Sequence, residues 1–135
     1  MHKAENILAA FHFGSDLEHF YLRFDFKKPL NESLKIKIHF TAPQESELWI
    51  EWKNSGIHGT FKNSRGEETQ LEKIQYKKII ESAIPFSLLN AKKNDPIEFR
   101  VIVLEGVMPM ESWPENAAIT TFCPSDDFGA DFWTV

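Results

Sequence analysis

The residues of this chain that could bind a ligand are its tryptophans and the polar side chains beside them. Trp49 lies between Glu47 and Glu51 and alternates with Leu48 and Ile50, so a β-strand would place its indole on the polar face. An indole can stack on the C–H groups of a sugar ring, because its π-face is electron-rich. Neighbouring carboxylate, guanidinium or amide groups would then bind the sugar hydroxyls.

A second tryptophan lies in a different setting. Trp113 follows Met108-Pro109-Met110-Glu111-Ser112, which we expect to be a loop, where binding sites often lie. The predicted ligand-binding residues are Trp49, Glu51, Trp113 and Arg23. The ordinary alternative is that Trp49 packs under a loop and Trp113 against a neighbouring domain, since large aromatic residues are mostly buried.

The sequence contains little that indicates a metal site or a reactive thiolate. The five histidines include no His-Glu-x-x-His motif, and a single cysteine cannot build a thiolate zinc site within one chain. His19 and His39 would approach each other if their two strands pair. The commoner interpretation of such a pattern is that the histidines are exposed on a sheet face without a ligand. We therefore expect no metal and no cofactor.

Catalytic motifs are also missing from the sequence. No serine lies in a Gly-x-Ser-x-Gly elbow, and Cys123 precedes a proline without an evident base. Glu105 with Glu111, or Asp126-Asp127, could be imagined as an acid/base pair, and the aspartates as calcium ligands without a defined loop pattern. In a chain with 20 acidic residues such pairs are usually solvated. We therefore predict no catalytic residue.

Composition restricts the class of protein. The chain has 135 residues, of which 42% are hydrophobic and 26% charged, which is typical of one globular domain. The net charge of −5 argues against nucleic acid as a partner. The one cysteine excludes an internal disulfide and suits a reducing compartment. Neither a secretory signal nor a membrane-length apolar run is visible, so we expect no membrane partner and a cytoplasmic location.

Period-two alternation predicts the elements that position these residues. It predicts strands at 7–13, 19–26, 34–41, 47–53, 57–62, 97–104 and 117–122. Apolar residues on both faces late in 97–104 indicate a central strand. The stretch 71–84 is compatible with a helix, but a strand leading into a short helical turn at 85–90 is preferred, because Pro85 would end a preceding helix.

About eight short strands, with turn residues every 8–12 positions, favour an all-β protein. We expect a two-sheet antiparallel β-sandwich, either jelly-roll or immunoglobulin-like, with one short helical turn near 85–90. No long amphipathic helix separates the strands, so a parallel α/β sheet fits poorly. No repeat or linker divides the chain, and residues 1–135 are predicted to form a single domain.

Three segments carry a resemblance to a known family. They are HFGSDLEHFYLRFD at 12–25, ESAIPF at 81–86 followed by the leucines at 88–89, and ESWPE at 111–115 closing on FWTV at 132–135. In this order they resemble the C-terminal β-sandwich domain of glycoside hydrolase family 57 proteins, the α-amylase/α-mannosidase-like group. The second segment also resembles family 9 carbohydrate-binding modules.

The resemblance implies an accessory domain of a carbohydrate-active protein, following a catalytic barrel that this chain lacks. Met1 would then mark a junction within a larger parent. One hypothesis is a non-catalytic module that binds α-glucan or a related polysaccharide. The other is a structural domain that packs against the barrel through Met108, Met110, Trp113 and the tail at 128–133, with no ligand of its own.

Overall fold

The computed structural model describes residues 7–125 and 132–134, which contain twelve β-strands and one short helix. In chain order the elements are β1 Leu8–Ser15, β2 His19–Phe26, β3 Leu34–Ala42, β4 Ser46–Lys53, β5 Gly56–Lys62, β6 Glu68–Gln70, β7 Lys73–Tyr76, β8 Ile79–Pro85, α1 Phe86–Leu89, β9 Pro96–Glu105, β10 Met108–Trp113, β11 Ile119–Phe122 and β12 Phe132–Thr134.

The strands form two antiparallel sheets, which confirms the predicted all-β sandwich. A five-stranded sheet has the order β12-β1-β2-β8-β7. A seven-stranded sheet has the order β10-β9-β3-β4-β5-β6, and β11 also pairs with β9. Strand β9 thus has β3 on one side and both β10 and β11 on the other. Its predicted central position is confirmed.

Alternation along the strands decides which side chains enter the core. In β2 the buried residues are Phe20, Leu22 and Phe24, and in β3 every second residue from Leu34 to Phe40 is buried. The residues between them lie on the outer faces of the sheets. Burial of these apolar side chains supplies most of the favourable free energy of folding.

The structure corrects three details of the predicted elements. The stretch 71–84 is not one strand but the hairpin of β7 and β8. The helical turn is present, although Pro85 is its N-cap and not its first helical residue. The segment expected to be a loop around Trp113 is β10, a strand with a bulge between Pro109 and Glu111. Strands as short as β6, with three residues, are too short to show the two-residue alternation on which the prediction depends.

A close approach between the sheets occurs where β5 passes β7. Gly59 is buried, and its amide oxygen accepts a hydrogen bond from the amide of Leu71 at 2.8 Å. A Cβ atom at Gly59 would lie 3.1 Å from methyl carbons of both Leu71 and Ile74. A larger residue at this position would require the Leu71 and Ile74 side chains to move by a few tenths of an ångström.

Replacing Gly59 by alanine should destabilise the domain by about 1–3 kcal/mol, because the core must shift to accept the methyl group. The control is Gly56→Ala, where the added Cβ would meet only the His58 ring at an ordinary 3.7 Å. Chemical denaturation of both variants measures the difference. Equal stability of the two variants would contradict the close approach.

Candidate ligand-binding site

The outer face of the seven-stranded sheet carries Trp49 near its middle. Leu48 and Ile50 are buried on the core side, so the alternation of β4 turns the half-buried Trp49 outward. Strand pairing places Lys37 of β3 on one side of Trp49 and Thr60 of β5 on the other. The indole thus lies among polar side chains on a sheet surface.

Trp49 is held by hydrogen bonds within this face. Its Nε1–H donates to Glu47 Oε1 at 3.1 Å, and Lys37 Nζ lies 3.0 Å from Glu47 Oε2. The same Nζ is 5.4 Å from the centroid of the indole ring, a cation–π distance. Glu47 therefore orients both the indole and the ammonium group.

The electrostatics of this cluster favour the ionised form of Glu47. Burial alone would raise its pKa, but hydrogen bonds from Lys37 and Trp49 and the nearby charges of Lys37 and His39 outweigh it. The pKa of Glu47 consequently lies below its ordinary value of 4.5. At neutral pH the cluster contains a paired carboxylate and ammonium group.

Glu51 shares this outer face with Trp49. It lies two residues further along β4 and pairs across the sheet with Lys35 and His58. Of the four predicted ligand-binding residues, Trp49 and Glu51 are the two that the fold brings together.

Trp113 faces the interior and not this outer face. It pairs with the buried Val101, and its ring makes an edge contact with Phe11 of the opposite sheet at a centroid distance of 5.9 Å. Its Nε1–H donates to Glu111 Oε2 at 2.7 Å. Trp113 and Trp49 thus lie on opposite faces of one sheet and share no surface.

Glu111 joins the two sheets through its carboxylate. Besides the bond from Trp113, it accepts hydrogen bonds from the backbone amides of Ile7 and Leu8 at the start of β1, the latter at 3.3 Å. These bonds link β10 of one sheet to the entry of the other. Glu111 is thereby engaged in structural contacts, whereas Glu105 is exposed at the end of β9.

Arg23 lies on the outer face of the five-stranded sheet, on the other side of the sandwich. Its Nε is 3.0 Å from Asp25 Oδ1, and 43% of its side chain is exposed. The pairing of His12 and Glu81 with Arg23 surrounds it with polar side chains. It cannot act on the same small ligand as Trp49.

A concavity that sequence reasoning missed adjoins the Trp49 face. It measures about 360 Å³, and Glu47 lines it together with His39, Glu45, Lys62 and Ser64. A pocket of this size falls in the range of about 300–1,000 Å³ that is usual for small-molecule sites. Alternation places His39 and Lys62 on the outer face, but the turn at 63–66 closes the concavity, and a local pattern does not predict where such a turn folds.

The described residues offer little for metal or nucleophilic chemistry. Within 7–125 and 132–134, no group of three or more His, Cys, Asp or Glu side chains could hold a metal ion. His19 and His39 belong to different sheets, so the strand pairing that would join them does not occur. Burial, and secondarily the charge of Asp95, raises the pKa of the Cys123 thiol and disfavours the thiolate. Asp126 and Asp127 lie outside the described residues.

Comparison of the chain with protein-family models, with curated proteins and with solved structures finds no match. The resemblance to glycoside hydrolase family 57 domains stays a prediction. In the part of the chain that the structure describes, no helix has the length and apolar character needed to cross a membrane.

Replacing Glu111 by alanine should lower the free energy of unfolding by about 1–3 kcal/mol, because the amides of Ile7 and Leu8 and the Trp113 N–H lose their acceptor. The matched control is Glu115→Ala, since Glu115 has an exposed side chain and accepts a hydrogen bond only through its backbone carbonyl. Urea denaturation measures both. A loss no larger than that of the control would show that the Glu111 contacts do not stabilise the sandwich.

The stability contributed by Glu47 should depend on pH. Because the folded state lowers the pKa of Glu47, the unfolded state binds more protons at low pH. The extra stability is therefore fully present at pH values above about 4.5, the ordinary pKa of the group. It is lost as the pH falls through the lowered pKa. Wild type should therefore exceed Glu47→Gln in stability at neutral pH, and the difference should shrink in acid.

Thermal unfolding of wild type and Glu47→Gln between neutral pH and about pH 3 measures this difference. Lys37→Met serves as the partner control, because removing the ammonium group should reduce the pH dependence that Glu47 confers. A stability difference that stays constant over this range would be inconsistent with the ion pair.

Proposed function

We propose that the chain is a non-catalytic accessory domain of a carbohydrate-active protein and binds a polysaccharide of the α-glucan type. The observation that carries the proposal is the placement of Trp49, an indole on a polar sheet face beside a concavity lined by hydrogen-bonding groups. A sugar ring would stack on the indole, and its hydroxyls would contact the polar side chains around it.

The charges of this face support a neutral ligand. Its charged side chains are nearly balanced, with five cationic and four anionic groups and one formal positive charge in excess; they are Lys35, Lys37, Lys53, Lys62, Arg100, Glu47, Glu51, Glu68 and Glu98. A polyanion such as nucleic acid would need a larger excess of positive charge. An uncharged glucan has no such requirement.

The concavity extends the surface beyond one sugar unit. Glu47 belongs both to the Trp49 cluster and to the lining of the concavity. A chain of sugars stacked on Trp49 would therefore reach His39, Glu45 and Lys62 with its next unit. This continuity favours an oligosaccharide over a monosaccharide.

A second candidate function is docking onto a catalytic barrel without a ligand. Its support is the tip of the β9–β10 hairpin, where Val107 is 91%, Met108 63% and Met110 46% exposed. Exposed methionines are common at protein interfaces. Trp113, expected in this patch, lies in the inter-sheet core instead, and the tail residues 128–131 lie outside the described residues.

Substituting Trp49 tests the proposed function. Trp49→Thr should weaken binding of maltoheptaose about tenfold or more, equivalent to about 1.4 kcal/mol, because the stacking surface is lost. Threonine suits an outer strand position, so the fold should persist. Isothermal titration calorimetry measures the affinity, and thermal unfolding checks the fold.

The control is Trp113→Phe, which keeps an aromatic ring in the core and should leave the affinity unchanged. Glu51→Gln, a milder change on the same face, provides a second readout that does not depend on the indole. Binding of maltoheptaose that is equal in wild type and Trp49→Thr would contradict the Trp49 site. Absence of any binding at millimolar sugar would favour the docking function.

A further inference from the structure

The outer face of the five-stranded sheet contains a groove of about 380 Å³ between β2, β8 and β7. Strand pairing puts Tyr21, Ala83 and Lys73 in one row across these strands. Glu81 and Gln75 form part of the next row. All five residues line the groove, which lies on the other side of the sandwich from Trp49.

The groove exists because a small residue lies between large ones. Ala83 points outward by its pairing with Tyr21, yet only 6% of it is exposed. The longer side chains of Tyr21 and Lys73 flank it in the same row. Ala83 therefore forms the floor, and its neighbours form the walls.

The walls combine an aromatic ring with hydrogen-bonding groups. The Tyr21 hydroxyl donates to the Asp16 carboxylate, which fixes the orientation of the ring beside the groove. Gln75 offers an amide that both donates and accepts, Glu81 accepts, and Lys73 donates. No hydrogen bond joins these last three side chains to any other residue in the described ranges, so they are available to a ligand.

An apolar floor with a polar rim matches a ligand that has an apolar face and a hydroxylated edge. The apolar part consists of Ala83 and the Tyr21 ring, because the side chains of Leu22 and Ile74 face the core. A pyranose ring has this character, because its C–H groups lie on its faces and its hydroxyls at its edge. The groove volume also falls in the range of about 300–1,000 Å³ typical of small-molecule sites.

We infer that this groove is a second polysaccharide-binding site, with Tyr21 as the stacking surface and Lys73, Gln75 and Glu81 as hydrogen-bonding partners. The ligand class rests on the proposed function of the Trp49 face. Two sites on opposite faces cannot hold one short oligosaccharide together. They can bind two polymer chains, so the domain would cross-link a polysaccharide.

Arg23 lies on the same outer face as this site. It pairs with Glu81 across β2 and β8, but its guanidinium is held by Asp25, with Nε 3.0 Å from Oδ1. Arg23 is not among the residues that line the groove, and its ligand-binding role stays a prediction.

Calorimetric titration with maltoheptaose tests the inference through its stoichiometry. Wild type should bind two molecules per chain, and the double variant Gln75→Ala/Glu81→Ala should bind one. Both side chains are exposed, so their loss should leave the fold intact. Lys78→Ala, at an exposed position in the turn between β7 and β8, is the matched control and should keep both sites.

Cross-linking gives a second readout. Wild type and Lys78→Ala should make a glycogen solution turbid, whereas the groove variant and Trp49→Thr should each bind glycogen without turbidity. These results would support the two-site domain.

The possible failures separate the two sites. One bound maltoheptaose that is lost in Trp49→Thr and kept in the groove variant would overturn the second site and leave the proposed function standing. One bound molecule that is lost only in the groove variant would overturn the Trp49 site and uphold the groove. No binding in wild type would overturn both.

Discussion

The contact between the two sheets depends on a cluster of phenylalanine rings centred on Phe99 of β9. Phe99 lies 5.6 Å from Phe13 and 5.3 Å from Phe20 in the opposite sheet, and 6.1 Å from Phe40 in its own, measured between ring centroids. Most of these rings meet edge to face, the geometry that aromatic pairs prefer. Because the only cysteine is a free, buried thiol, packing replaces disulfides in holding the sheets together.

This packing sets what the outer faces can do. Since the apolar half of each strand is used in the core, the other half projects polar side chains, and Trp49 is an aromatic exception among them. Parity along the strand and pairing between strands decide its direction. A register slip of one residue in β4 would turn Trp49 inward, and the same slip in β10 would turn Trp113 outward. The interior contacts that stabilise the fold therefore also position the proposed sites.

Much of the fold could be predicted from the sequence, because alternation is a local signal. It placed β2, β3 and β4 to within a residue or two and gave the outward direction of Trp49 and Glu51. Trp113 was misplaced because β10 is short and carries Pro109 next to a bulge, which interrupts the period. The split of 71–84 into β7 and β8 was hidden for a related reason, since β7 is only four residues long.

Strand pairing could not be predicted, because alternation says nothing about which strands share a sheet. For that reason the sequence could not show that Arg23 and Trp49 lie on opposite sides of the sandwich, or that His19 and His39 lie in different sheets. The concavity beside Glu47 and the groove over Ala83 also depend on pairing and on turns. Sites of this kind become visible only when distant strands are placed side by side.

The central claim is that Trp49 contacts a glucan, and the indole N–H resonances in a ¹⁵N-edited NMR spectrum test it most directly. Each of the four tryptophans gives one such signal, which single substitutions can assign. During titration with maltoheptaose, the Trp49 signal should shift progressively and saturate, while that of Trp113 stays in place because its ring packs between the sheets against Phe11. A Trp49 signal that does not move while binding is detected elsewhere in the spectrum would contradict the account.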